Sequence, residues 1–156
     1  MTKSITPITP NLWFDGNAKE AAEFYVSVFP DSKIIATMNY PNTKEEGLAD
    51  FQSNMAGKVL TVEFELRGNP FLAINAGSRF KFNEAVSFAV TCEDQEEIDY
   101  YWEKLSAVPE SEQCGWLKDK YGLSWQIVPK NVNELLKRPG AFANMMKMKK
   151  LVIADY

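Results

Sequence analysis

Glu63, Cys114 and an absence frame the chemistry open to this chain. The absence is histidine, of which the sequence has none. Histidine is the usual near-neutral general base and the commonest metal ligand, so Ser-His-Asp and Cys-His arrangements fall away together with most zinc sites. Chemistry is left to carboxylates, Cys, Lys, Tyr and backbone. Glu63 stands mid-way along an alternating run, Val59 to Leu66, on the side of Val59, Thr61 and Glu65. Desolvated in a partly apolar cup, such a carboxylate suits acid or base work; washed by solvent, it only keeps a sheet soluble. Cys114 is the candidate nucleophile, but without a histidine to activate it an inert thiol is the stronger reading. Trp13 and Trp116 offer flat surfaces for a planar ligand, and large aromatics serve equally as core. Asn11, Asn75, Ser87 and Gln126 could orient a ligand by hydrogen bonds, or satisfy one another or bound water.

Composition bounds the rest. A chain of 156 residues holds about one domain's worth of core. A net charge of −4 argues against nucleic acid, whose phosphates want a basic face. The basic run Lys147-Met148-Lys149-Lys150 reads as the solvated end of a helix. Nothing resembles a signal peptide, and no apolar run approaches the length a bilayer needs. Two cysteines do not make a secreted disulfide framework, so the expected compartment is a reducing cytoplasm.

The elements that must position these residues follow from periodicity. Ile8 to Phe14 reads as a strand, with Ile8, Leu12 and Phe14 on one side and Thr9, Asn11 and Trp13 on the other. Asn17 is the expected cap of a helix whose apolar stripe is Ala18, Ala21, Ala22, Tyr25, Val28 and Phe29. Lys33 to Tyr40 reads as a strand, and residues 41–57 as a long polar loop, a lid or a tolerated insertion. Val59 to Leu66 and Phe71 to Asn75 make a hairpin. The order then recurs: a strand over Ala85 to Cys92, a helix capped by Asp94 with Glu97 three residues on, and a hairpin from Cys114 to Pro129 turning at Asp119 to Gly122. Asn131 to Lys137 and Ala141 to Lys150 read as terminal helices.

A strand, a helix and a hairpin-rich segment thus occur twice, and repetition outranks single-element readings. Module one covers about residues 5–76, module two about 84–129, and a helical tail about 131–156. If Leu12, Phe14, Leu60, Val62, Phe64, Leu72, Ile74, Val86, Phe88, Val90, Trp125 and Ile127 meet the helices, an inner face remains. It holds Thr9, Asn11, Trp13, Thr61, Glu63, Phe71, Ala73, Asn75, Ser87, Ala89, Ser124 and Gln126. That mixture suits a half-open cavity.

Several runs carry a likeness: Thr9-Pro10-Asn11-Leu12-Trp13-Phe14-Asp15-Gly16, Ala21-Ala22-Glu23-Phe24-Tyr25, Phe29-Pro30-Asp31-Ser32, Val62-Glu63-Phe64, and Cys114-Gly115-Trp116-Leu117-Lys118-Asp119 with Gly122-Leu123-Ser124-Trp125-Gln126. On these the chain resembles the PhnB-like family, labelled 3-demethylubiquinone-9 3-methyltransferase, of the vicinal-oxygen-chelate superfamily of glyoxalases, dioxygenases and bleomycin-resistance proteins. The resemblance implies an α+β fold, tandem βαβββ modules curling a mixed sheet into a cup, with C-terminal helices added. It also implies a homodimer, with exchange of C-terminal segments an open alternative. Metal-using members draw His and Glu ligands from the first and last strand of each module. Those positions here are Thr9, Asn75, Ala85 and Gln126, whose side chains are poor ligands for a divalent ion. No metal or other cofactor is therefore expected. Methyl transfer is not expected either, because Asp15-Gly16-Asn17 lacks the Gly-rich turn that a nucleotide-like donor wants.

The function expected is metal-independent binding of an unidentified small molecule in the cup, with Cys114 and Trp116 among its lining. The alternatives are an isomerase, lyase or methyltransferase using Glu63, and a structural or regulatory dimer whose cup is filled.

Overall fold

The computed structural model describes residues 6–156. They fall into two compact units, one ending at Lys81 and the other running from Phe82 to Tyr156.

The first unit contains β1 (Asn11–Phe14), α1 (Ala18–Val28), β2 (Lys33–Asn39), β3 (Val59–Leu66) and β4 (Asn69–Asn75). Its sheet has the order β1-β4-β3-β2, with β1 parallel to β4 and the other pairs antiparallel. Ala18, Ala21 and Ala22 let α1 lie close on the sheet, and Tyr25 stacks on Phe64 with ring centres 6.3 Å apart. Leu12, Phe14, Val62, Phe64 and Leu66 complete that core as the alternation foretells.

Register corrects the reading of β4. Phe64 pairs with Phe71 and Val62 with Ala73, and directly opposed residues share a face. Phe71, Ala73 and Asn75 therefore point toward α1, and Leu72 and Ile74 point away. Phe71 stacks on Phe64 at 5.4 Å. The sequence here is apolar on both parities, so alternation alone could not choose.

Two further expectations change. β1 begins only after Pro10, whose carbonyl accepts from Leu72 N at 2.9 Å, and Ile8 is 97% exposed rather than core. Asn17 precedes α1 but makes no side-chain cap. Asn75 takes that role, its Oδ1 accepting from Ala18 N at 2.9 Å. Residues 41–57 form a loop pinched at its neck, where Tyr40 N donates to Lys58 O (2.8 Å) and Gly57 N to Pro41 O (3.2 Å). Leu48 is buried within it and Phe51 points outward.

The second unit contains β5 (Ser87–Cys92), α2 (Gln95–Leu105), β6 (Trp116–Lys118), β7 (Ser124–Pro129), α3 (Val132–Leu135) and α4 (Ala141–Met145). Its sheet, in the order β5-β7-β6, is three-stranded, one fewer than a full βαβββ module. The place of the missing strand is taken by a loop with a 3₁₀ turn at Pro109–Ser111. Pro109 has no N–H to give a ladder. Val86 precedes β5 and is exposed, so it does not meet the helix. Asp94 Oδ1 accepts from Glu97 N (3.0 Å), the cap that the sequence predicts. Ile98, Tyr101 and Leu105 are buried on α2, as are Val90, Cys92, Leu117, Trp125 and Ile127 on the strands.

The β6–β7 turn is tied by a buried carboxylate. Asp119 Oδ1 accepts from Tyr121 N (2.8 Å) and Leu123 N (3.1 Å), and Oδ2 from Trp125 Nε1 (2.8 Å). Gly122 takes φ of 83° there. The terminal helices are shorter than their periodic stretches, yet the tail is anchored on its own unit: Leu135, Ala141, Leu151 and Tyr156 bury together. The Gln95 amide clamps it, donating to Leu151 O (3.1 Å) and accepting from Ile153 N (2.8 Å).

Candidate functional site

In the first unit, the face turned away from α1 carries Asn11 and Trp13 of β1, Leu72 and Ile74 of β4, and Thr61 and Glu63 of β3, aligned by register. Glu63 is exposed between Leu72 and Ala36 across the ladder. Trp13 is already engaged: Nε1 donates to Gly77 O (2.7 Å) and Phe80 packs edge-on at 4.9 Å. Thr9 lies ahead of β1, its carbonyl accepting from Asn11 Nδ2 at 2.9 Å. Phe71 and Asn75, expected on this face, are not on it.

The second unit holds a cavity of about 640 Å³. Its lining brings together Cys114, Trp116 and Gln126, three residues that the sequence singles out. Ser87 stands beside them, accepting from Gln126 Nε2 at 2.9 Å. Ser124 is adjacent on the same strand but fully buried, and its Oγ has no hydrogen-bond partner. The walls also include Gln113, Met145, Met146 and Leu151, which periodicity does not reveal.

Local sequence explains how these walls form. Gln113 and Trp116 pair antiparallel across Cys114 and Gly115, whose φ values are 50° and 84°. Two successive positive φ values mark the primed turn that closes a tight hairpin, for which X-Gly is the sequence signal. That signal is present in Cys-Gly but weak, because Asn or Asp is the usual first residue. The turn's amides are then bound by the tail: Cys114 N donates to Met148 O (2.9 Å) and Gly115 N to Lys149 O (2.8 Å). This seats α4 against the hairpin and shapes the cavity from segments far apart in sequence.

Charge in the cavity is internally satisfied. Glu84 is the sole ionisable carboxylate of the lining, and it pairs with Lys118. The hydrogen bond from Lys118 holds the Glu84 carboxyl below its ordinary pKa. Burial, and secondarily the charge of Cys114, pushes the Tyr156 phenol up. The Tyr156 hydroxyl is buried with no hydrogen-bond partner.

The residues at the metal positions that the resemblance implies do not fit a divalent ion. Asn75 spends its amide on Ala18 N and on Val59 O (3.1 Å) and is buried toward α1. Gln126 is bonded to Ser87, Thr9 offers only a hydroxyl, and Ala85 offers nothing. Among the described residues no three of His, Cys, Asp and Glu cluster as a metal would require. No helix among them is long and apolar enough to cross a membrane.

Comparison with known proteins agrees with this architecture. A family model described as 3-demethylubiquinone-9 3-methyltransferase matches residues 6–128. The PhnB protein from Bacillus cereus is 37% identical, covering 80% of this chain and 99% of its own, with a TM-score of 0.61. Protein PA1353 from Pseudomonas aeruginosa shares the fold at 15% identity and a TM-score of 0.60, over 81% of this chain and 98% of its own. The fosfomycin resistance protein FosX from Listeria monocytogenes does so at 16% identity and a TM-score of 0.52, over 88% of this chain and all of its own, 100%. No curated protein matches the chain. With the expected fold and most of its length matched, the chain belongs to the PhnB-like, 3-demethylubiquinone-9 3-methyltransferase family.

Proposed function

We propose that this chain binds a neutral, planar small molecule in the cavity of its second unit, without a divalent metal. The observation that carries the reading is the lining. About 640 Å³ is bounded by Trp116, Met145, Met146 and Leu151, with Gln113 and Gln126 as polar points. That volume and that mixture are typical of small-molecule sites. Gln126 Nε2 is committed to Ser87, and Gln113 Nε2 to Met146 O (2.9 Å). Both amides keep their carbonyl oxygens and Gln126 Nε2 keeps one N–H, so the site offers two acceptors and one donor, which favours a ligand with N–H or O–H donors. A charged ligand would lose its hydration and find no uncompensated countercharge, since Glu84 and Lys118 neutralise one another.

Glu63 carries no acid–base proposal, because its register neighbours Ala36 and Leu72 supply no partner for proton transfer. A homodimer in a reducing cytoplasm completes the reading. It is supported by the exposed apolar side chains Ile34, Ile35 and Met38 on edge strand β2, and by two cysteines that are not joined.

A thermal-shift screen tests the binding claim, because a ligand that binds only the folded state must stabilise it. Neutral aromatic donors should raise the melting temperature, and Trp116→Ala should remove the effect. Stabilisation by carboxylates or phosphates alone, or an unchanged response in Trp116→Ala, would refute it.

A further inference from the structure

Gln113, Trp116 and Gln126 form one row across the second sheet. Gln113 and Trp116 exchange backbone hydrogen bonds of 3.1 and 2.8 Å, and Trp116 pairs antiparallel with Gln126. Directly opposed residues share a face, so the indole stands between two glutamine side chains, and all three line the cavity. The two glutamine backbones are roughly 10 Å apart, one hydrogen-bonded and one non-hydrogen-bonded antiparallel spacing. A fused two-ring system with a polar group at each end can bridge that span. The indole is also open. Trp125, on the other face, is held by Asp119 and packs on Phe88 with ring centres 5.7 Å apart. Trp116 is half-buried, and among the described residues no ring packs on it.

The two amides differ in what they have left for a ligand. Gln113 Nε2 spends both its N–H groups, on Met146 O at 2.9 Å and on Cys114 Sγ at 3.3 Å, so only Oε1 remains. Gln126 Nε2 spends one N–H on Ser87 Oγ at 2.9 Å and keeps the other, along with Oε1. One end of the row therefore accepts only, and the other both accepts and donates. They differ in depth as well: Gln113 is exposed at the rim, and Gln126 is half-buried.

We propose that the ligand is a flat, fused-ring lactam with a further N–H or O–H donor on its opposite edge, an inference that rests on the binding reading above. The ring N–H and C=O of the lactam meet the Gln126 amide, the rings stack on Trp116, and the far donor meets Gln113 Oε1. Gln113 and Gln126 are then the specificity residues of the cavity. A ring lacking the lactam N–H leaves Gln126 Oε1 unpaired in the half-buried part of the site, the kind of loss by which polar sites discriminate most strongly. A ring lacking the far donor loses less, because Gln113 can still be hydrated.

The test is calorimetric titration of the full chain with three uncharged probes. They are carbostyril (a benzene-fused six-membered lactam), its derivative with an amino group on the benzene ring opposite the lactam, and the N-methyl form of that amine. The aminocarbostyril should bind about tenfold tighter than its N-methyl form and about threefold tighter than carbostyril. In Gln126→Leu the first ratio should fall to about one while the second persists, which separates a lost hydrogen bond from the bulk of the methyl group. The ranking in the unaltered protein tests the proposal even if that variant does not fold. Equal affinity for the three probes, or an N-methyl penalty that survives Gln126→Leu, overturns this inference and leaves the binding reading standing. No binding of any probe overturns both.

Discussion

Asn75 Oδ1 accepts a hydrogen bond from Ala18 N at 2.9 Å, so the end of β4 caps the start of α1 across 57 positions of sequence. The same side chain donates to Val59 O and is only 3% exposed. A position that the resemblance implies for a metal ligand is thus spent on holding helix to sheet.

Replacing Asn75 by Ala should therefore destabilise the first unit by about 1–3 kcal/mol, the cost of leaving buried backbone groups unpaired. Asn75→Asp keeps the acceptor and should cost less than Asn75→Ala. Urea unfolding checks the order, and no loss in either variant would refute the role.

Two glycines with nearly equal φ should respond differently to alanine. At Gly115 a Cβ would stand 2.9 Å from Ile127 O and from Leu151 Cδ1, whereas at Gly122 it meets nothing within 4 Å. Gly122→Ala should cost about 1–2 kcal/mol from the left-handed conformation alone. Gly115→Ala should cost more and loosen the tail, measured as faster amide exchange at residues 148–153. Equal losses would contradict this packing.

Asp119 is fully buried, and its carboxylate accepts from at least three donors, Tyr121 N, Leu123 N and Trp125 Nε1. Asp119→Ala strands two backbone N–H groups and the Trp125 indole N–H, and should cost on the order of 3–5 kcal/mol. Asp119→Asn keeps part of the acceptor capacity and should fall between. Chemical denaturation of the three proteins gives the ranking.

How much of this was legible in the residues varies with the strength of the pattern. Both long helices follow from their apolar stripes, and Asp94 with Glu97 marks a cap. β3 reads correctly because Val62, Phe64 and Leu66 alternate with Thr61, Glu63 and Glu65. β4 does not, because Phe71, Leu72, Ala73 and Ile74 are apolar on both faces and only pairing with β3 decides. The cap on α1 was invisible for a different reason: its donor and acceptor are distant in sequence, while Asn17 stands where a local cap would. The cavity was half legible. Cys114, Trp116 and Gln126 drew notice as residue types, but Met145, Met146 and Leu151 reach them through tail-to-turn hydrogen bonds that carry no sequence periodicity.

Docking of the tail should depend on pH through Asp99. Hydrogen bonding from Lys150, and then from Gln95, holds the Asp99 carboxyl below its ordinary pKa. A lowered folded-state value contributes stability above the unfolded value, and that stability is lost as pH falls through the folded one. Protection of the Ile153 amide, which donates to Gln95 Oε1, should therefore fall at roughly pH 4 and below. Lys150→Gln should flatten the dependence. Because both partners are solvent-exposed, the effect should be small and salt-sensitive.

The claim on which the account most depends is that the ligand site lies in the second unit. Backbone amide shift mapping, with a set of neutral aromatic compounds added to labelled protein, addresses it directly. Perturbations concentrated at Gln113, Cys114, Trp116, Gln126 and Leu151 are the predicted result. Compounds that instead shift Asn11, Thr61 and Glu63, or that shift nothing at all, would contradict it.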